Sequence, residues 1–274
     1  MALIQGFNYK CLVDRKTDIG FAIICEDEEV FLHAKEAHEL EIGQMIDVFL
    51  YMDAYKRLAA TMDKPIIKVG QKGFLEVMSI EDNLGIFLNN GINKHVLLSK
   101  DDLPLNKSYW PKIGDNVYVE LKVKARLYVE LAIPNPPYDK LDVLKHYDGQ
   151  INGFHKEGMR FITENLTPVF IHESQYDQRL PIGTTLSLKV IHESSKGYTG
   201  TLLQAKETKR LSDADIILAY LETHDMMALD GTSPSELIEE KFQMSRKAFK
   251  RALGYLYKTR KIMFVDGQTK RIKD

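Results

Sequence analysis

The feature that most restricts how this chain can fold is a pattern written three times along it. A glycine opens an apolar segment at Gly20-Phe21-Ala22-Ile23, Gly85-Ile86-Phe87-Leu88 and Gly158-Met159-Arg160-Phe161. A second segment follows each, as Val30-Phe31-Leu32-His33, Val96-Leu97-Leu98-Ser99 and Val169-Phe170-Ile171-His172. Another glycine then opens a third at Gly43, Gly114 and Gly183, and a last short run closes each copy around Leu58, Tyr128 and Gly200. From the second-segment valine to that glycine the spacing is 13, 18 and 14 residues, so the middle copy carries a longer loop, which holds Trp110, the only tryptophan. Alternating and β-branched runs punctuated by turns predict strands. Units of roughly 65–70 residues with about five short strands match a small closed Greek-key barrel.

The predicted boundaries follow the prolines. Lys64-Pro65 separates the first two copies, and Pro134-Asn135-Pro136-Pro137 is a stiff link to the third. The expected domains are therefore 1–63, 64–137 and 138–209, each a barrel, followed by 210–274. Tyr138 to Lys145 is a candidate short helix. Cys11 and Cys25 lack the spacing of a zinc knuckle or redox pair and are expected to be reduced, half-buried strand residues.

From Ser212 the periodicity changes to that of helices. Ser212-Asp213-Ala214-Asp215 is expected to open a first helix. Ser233-Pro234-Ser235-Glu236 predicts an N-cap with proline at the first helical position, and Ser245 caps a third helix running to about Lys258. Ile262 to Ile272 forms a hairpin around Asp266-Gly267. Three short helices and a terminal hairpin give the order of a winged-helix domain. The expected fold class is thus mainly β with an α+β C-terminal domain: three tandem five-stranded OB-fold barrels followed by a winged helix.

Charge is distributed unevenly. The chain carries a net charge of −2, yet residues 241–274 hold 11 Lys or Arg against 2 acids, a local net of +9. In the third helix Phe249, Ala252, Leu253 and Leu256 recur on one face, while Lys247, Lys250, Arg251 and Lys258 share the other. Arg246 precedes them and Arg260 follows. A basic patch at one end of an otherwise acidic molecule favours a polyanionic partner there.

The order glycine-aromatic strand, then Val-Phe-Ile/Leu-His, then a glycine-led strand resembles the S1 RNA-binding domain, an OB-fold barrel. Three such units followed by a helical C-terminal segment are similar to the conserved virulence factor B family of bacterial RNA-binding regulators. The resemblance implies an RNA surface made by Phe21, Phe31 and His33 in the first copy, and by Phe161, Phe170 and His172 in the third. In the middle copy Phe87 remains, but Leu97 and Ser99 stand where the other aromatic and the histidine belong, so that copy is expected to act mainly as a spacer. Strand alternation supports the Phe-x-His pairs independently of the family: Phe31 with His33, and Phe170 with His172, share a face opposite the aliphatic residues. An outward aromatic face can stack unpaired bases.

Other chemistries find little support. Neither G-x-x-x-x-G-K-[ST] nor G-x-G-x-x-G occurs. His172-Glu173 and His192-Glu193 begin like a zinc-hydrolase helix, but Tyr176 and Lys196 occupy the place of the second histidine. The expected protein is a non-catalytic, cytoplasmic, monomeric binder of single-stranded RNA that regulates gene expression after transcription. It is expected to use no cofactor, metal, membrane or small-molecule substrate. A DNA-binding transcriptional regulator acting through the winged helix is the alternative, and an RNA-processing enzyme is a third class disfavoured by the lack of clustered carboxylates.

Overall fold

The structure is a computed structural model that describes residues 3–203, 206–265 and 267–272. The first barrel is built from β1 (Asn8–Thr17), β2 (Gly20–Cys25), β3 (Glu28–His33), β4 (Met45–Met52) and β5 (Leu58–Thr61), closed in the order β1-β2-β3-β5-β4. The second uses β6 (Lys72–Glu81), β7 (Gly85–Asn89), β8 (Val96–Ser99), β9 (Asn116–Val123) and β10 (Leu127–Leu131). The third uses β11 (His146–His155), β12 (Gly158–Thr163), β13 (Pro168–His172), β14 (Thr185–Ser194) and β15 (Gly197–Thr201). All three share one topology, in which the third strand pairs in parallel with the fifth. The three sequence repeats are three closed OB-like barrels.

Each barrel has its own apolar core: Val13, Ile23 and Leu32 in the first, Leu75, Ile86 and Leu98 in the second, Ile151, Phe161 and Ile171 in the third. The long middle loop folds inward, burying Trp110 with its indole Nε1 donating to the Pro104 carbonyl at 2.7 Å. Cys11 and Cys25 depart from expectation. Antiparallel pairing of β1 with β2 sets them opposite each other, Cα atoms 4.4 Å apart, and they form a disulfide, fully buried rather than half-buried and reduced. No local spacing motif announces such a pair, because the strand register creates it.

The barrels do not hang on loose links. An apolar seam of Phe49, Tyr51, Ala59 and Ile92, with Leu127, joins the first two. Across it the Lys94 ammonium donates to the Met52 carbonyl at 2.7 Å and the Gln5 amide to the Ala125 carbonyl at 3.2 Å. Tyr118, Ala132 and Ile162, with Phe74, form the seam between the second and third. There Asn152, buried on β11, uses its whole amide: Oδ1 accepts from the Tyr118 N–H at 2.8 Å, and Nδ2 donates to the carbonyls of Tyr118 at 2.9 Å and Ala132 at 3.1 Å. The three barrels together form one compact unit ending at Leu202, and a second unit begins at Leu203. Tyr138 to Lys145 forms no helix; the Tyr147 hydroxyl holds the Asp142 N–H at 2.7 Å in a turn.

The second unit contains α1 (Lys206–His224), β16 (Met226–Met227), α2 (Ser235–Phe242), α3 (Arg246–Lys258), β17 (Ile262–Val265) and β18 (Gln268–Arg271). β18 is the centre of a three-stranded sheet between β16 and β17, completing a winged-helix domain. Two helix starts differ from expectation. α1 begins before Ser212 and crosses the expected 209/210 boundary. The cap of α2 is Pro234 rather than Ser233, whose hydroxyl instead accepts from the Asp230 N–H at 2.9 Å and so tightens the preceding turn. Ser245 does cap α3, accepting from the Ala248 N–H at 3.3 Å.

Because Asn152→Ala would leave the Tyr118 N–H and the Ala132 carbonyl of the seam without this partner, while the Tyr118 carbonyl keeps the Ala132 N–H, it is expected to lower the unfolding free energy by about 1–3 kcal/mol. Equilibrium urea unfolding followed by circular dichroism checks this.

Candidate nucleic-acid interface

In every barrel the second and third strands pair so that the opening glycine stands opposite the last residue of the third strand: Gly20 with His33, Gly85 with Ser99, Gly158 with His172. Those three partners do the same local work. The imidazole Nδ1 of His33 accepts from the Lys35 N–H at 3.0 Å, the Ser99 hydroxyl from the Asp101 N–H at 3.2 Å, and the His172 Nδ1 from the Ser174 N–H at 3.2 Å. Each thereby caps a single 3-10 turn. With Nδ1 occupied as acceptor, the neutral imidazole carries its proton on Nε2, available to a ligand. Ser99 keeps the cap and gives up that donor.

Alternation from the cap fixes which side chains face out. Phe31 and Phe170 are half-buried on the outer face, each edge-on to its histidine at 6.1 and 6.3 Å between ring centroids. His155 braces Phe170 from the other side, edge-on at 5.9 Å. Phe87 is likewise half-buried on the outer face. Phe21 and Phe161 are corrections: one and three residues after their opening glycines, they stand on the inward phase. Phe161 is fully buried in the third core, and Phe21 packs against the first. Phe161 cannot reach a ligand, and Phe21 is half-buried.

Each outer face opens on a cavity. One of about 430 Å³ is lined by Phe31, His33, Tyr51, Tyr55 and Arg57; Arg57 lies over the Tyr55 ring and pairs with Asp53 at 2.9 Å. A second, of about 340 Å³, takes Phe87, Leu97, Tyr128, Lys94, His95 and Arg126. Tyr128 is the residue that the local pattern hides. It sits beside Leu97 through the parallel pairing of β10 with β8, at the place held by Ala59 and Thr199 in the other barrels. The middle barrel thus regains an aromatic pair, with the Lys124 ammonium 5.0 Å from the Tyr128 ring centre. Burial, with Arg126 nearby, pushes the Lys94 ammonium below its ordinary range. The third cavity, about 350 Å³, is bounded by Phe170, Tyr198, Tyr138, His155 and Arg160. A larger one of about 530 Å³ carries Asp148 and Glu164 and no cation, which suits a polyanion poorly.

In the second unit α3 buries Phe249, Ala252, Leu253 and Leu256, so Lys247, Lys250, Arg251 and Lys258 are exposed, as is Arg260 after the helix. Nothing lies within 4 Å of the space a Gly254 side chain would fill, leaving that face open to close approach. Arg246 is committed locally, its guanidinium donating to the Thr232 carbonyl at 2.9 Å. Beside this face Tyr257 and Phe264 stack at 5.4 Å and both are exposed, an aromatic pair joining helix to wing that sequence pattern alone did not single out. Among the described residues no His, Cys, Asp and Glu cluster could hold a metal, and no helix is long and apolar enough to cross a membrane.

Barrels with outward aromatics on the second and third strands, joined to a basic winged helix, define a class of modular nucleic-acid-binding proteins. Comparison with known proteins specifies the family. Residues 6–63 match the S1 domain, 73–130 the first S1-like domain of CvfB, and 215–270 the CvfB-like winged helix domain. YitL of Bacillus subtilis (strain 168) is 32% identical over 273 residues, covering 94% of this chain and 90% of that protein. Conserved virulence factor B of Staphylococcus aureus (strain N315) is 30% identical over 258 residues, 88% and 85% of the two chains. A crystal structure from Streptococcus pneumoniae TIGR4, described as a multidomain protein with nucleic acid binding domains, superposes with a TM-score of 0.58 at 25% identity over 98% of both chains. The chain belongs to the conserved virulence factor B family.

The assignment of inward and outward phases has a direct consequence. Phe161→Ala is expected to cost about 3–5 kcal/mol of stability, and Phe170→Ala less, about 1–2 kcal/mol, since its ring is only partly buried. Urea unfolding of the two variants side by side measures the difference.

Proposed function

We propose that this protein is a non-catalytic binder of single-stranded RNA that acts as a post-transcriptional regulator in the cytoplasm, as a monomer. The observation that carries the proposal is the outward aromatic face repeated in three barrels, each opening on a cavity wide enough for a nucleotide and bordered by a cation or a histidine. Such faces stack unpaired bases at about 1–3 kcal/mol each and do not accommodate a base pair that keeps its own stacking. Phe31 with His33, Phe87 with Tyr128, and Phe170 with His172 are the stacking groups. The middle barrel is a participant, not a spacer. Weak sites held on one compact unit reinforce one another through effective concentration.

The winged helix supplies phosphate contacts through Lys247, Lys250, Arg251, Lys258 and Arg260. Their exposure on one amphipathic helix and the turn after it also favours the second reading, a duplex-DNA contact in which α3 enters a groove. Competition between single-stranded RNA, duplex RNA and duplex DNA of the same sequence separates the two.

Replacing Phe170 and His172 together by Ala is expected to weaken single-stranded RNA binding by about 1–3 kcal/mol per stacked base lost, read by fluorescence anisotropy. Changing Lys247, Lys250 and Arg251 to Gln is expected to flatten the slope of log affinity against log salt by about 2, at about 0.7 per phosphate contact on a single strand. Base preference should stay unchanged, since phosphate contacts position without specifying.

A further inference from the structure

The three barrels differ at one outward position. Two residues after the opening glycine, facing the third-strand position of Phe31, Leu97 and Phe170, stand Ala22, Phe87 and Arg160. In the third barrel Phe170 therefore has an arginine opposite it across the strand pair. Met159 and Phe161 on either side are fully buried, so Arg160 must face outward.

Its setting is unusual for an arginine. The guanidinium packs by its Nε edge against Gly153, where β11 shifts register: a Cβ built there would come within 2.6 Å of one terminal nitrogen and 3.1 Å of Nε. Gly153 has φ +151°, so the bulge and the absent side chain together make the seat for the planar group. Nε is buried without a hydrogen-bond partner, and Arg160 makes no ion pair among the described residues. Burial pushes the guanidinium below its ordinary range. A desolvated cation with an unmet donor, seated at the edge of a cavity, is costly unless something completes it.

The cavity shows what would complete it. Phe170, Tyr198, Tyr138, Pro168 and Ile133 give walls that are mainly apolar and aromatic, and Lys196 stands among the lining residues. A phosphate in walls so largely apolar would surrender most of its hydration for the cations Arg160 and Lys196. A base has two apolar faces for the aromatic walls and presents its polar atoms at its edges. Guanine offers N7 and O6 side by side, two acceptors that match the guanidinium fork. Adenine pairs N7 with an amino donor that opposes the fork, and the pyrimidines offer at most a single acceptor there.

We propose that Arg160 makes the third barrel a guanine-reading site, with the base on Phe170 and its N7/O6 edge on the guanidinium. The proposal rests on single-stranded RNA being the ligand. Barrels with Ala22 or Phe87 at this position lack the fork, so the preference belongs to one nucleotide of the bound strand.

The test uses the full chain and oligouridines of about 12 nucleotides carrying one central guanosine, adenosine or 7-deazaguanosine, with affinity read by fluorescence anisotropy. Guanosine is expected to bind about 5- to 150-fold more tightly than adenosine, and 7-deazaguanosine, which lacks only N7, to lose most of that advantage without any change to the protein. R160K, which keeps the charge and removes the fork, should bring guanosine and adenosine together. Equal binding of guanosine and adenosine by the unaltered protein would overturn the guanine site while leaving single-stranded RNA binding in place. Uniform weakening of every oligomer by R160K, with the salt slope lowered by about 0.7, would show a phosphate contact and likewise overturn it. Failure of the unaltered protein to bind any of the oligomers would overturn the RNA assignment, and this proposal with it.

Discussion

Everything at the candidate interface depends on a steric constraint at three glycines. At Gly20, Gly85 and Gly158 a Cβ would lie 2.1–2.2 Å from the carbonyl oxygens of Leu32, Leu98 and Ile171, closer than real Cβ contacts come. The missing side chain lets the third strand cross tightly over the start of the second. That crossing locks the register, and the register decides which residues face water. Shifting it by one would bury Phe31 and Phe170 and turn Leu32 and Ile171 outward. The capping residues His33, Ser99 and His172 end the same strand at the same place, so steric fit and hydrogen bonding specify one alignment.

The second level of organisation is the docking of the barrels. Asn152 and Asn90 are buried amides spent on backbone groups rather than on one another: Asn90 accepts from the Ile67 N–H at 2.9 Å and donates to its carbonyl at 3.0 Å. Satisfied in this way, Asn152 fixes the seam of the second and third barrels, since any sliding would strand a buried donor, and Asn90 ties the segment after Pro65 to the second barrel. Tyr51 belongs both to the seam of the first two barrels and to the cavities beside Phe31 and Phe87. Its hydroxyl donates to the Glu36 carboxylate at 2.7 Å, and burial followed by that bond pushes its ionisation well above the ordinary tyrosine range. Neighbouring binding faces are therefore held by the same side chains that hold the barrels together. A strand engaging one face meets the next without paying again for its alignment.

Much of this was legible in the sequence where the chemistry is local. The glycine-strand repeats and the Phe-x-His alternation gave the barrels and two of the outward faces. The amphipathic spacing of Phe249 to Leu256 gave α3 and its exposed cations. What stayed hidden depends on pairings between distant segments. Tyr128 joins Leu97 only through a parallel strand pair, and Cys11 meets Cys25 only through the β1–β2 register. Phe21 and Phe161 misled because a phenylalanine near the glycine was counted without its phase; two residues after the glycine, not one or three, is the outward place. Arg160 occupies that place in the third barrel, yet in sequence it is one arginine in a strand. Its meaning comes from the bulge at Gly153 beneath it.

The central claim is that bases stack on the outward faces of the second and third strands of the barrels. Photocrosslinking of the full chain to single-stranded RNA containing 4-thiouridine, followed by mass-spectrometric assignment of the modified residues, tests it most directly. The account predicts adducts on β3, β7, β10 and β13, at Phe31, Phe87, Tyr128 and Phe170 or their immediate outward neighbours, with none around Asp148 and Glu164. Adducts confined to α3 and the wing, with the three barrel faces unmodified, would contradict it.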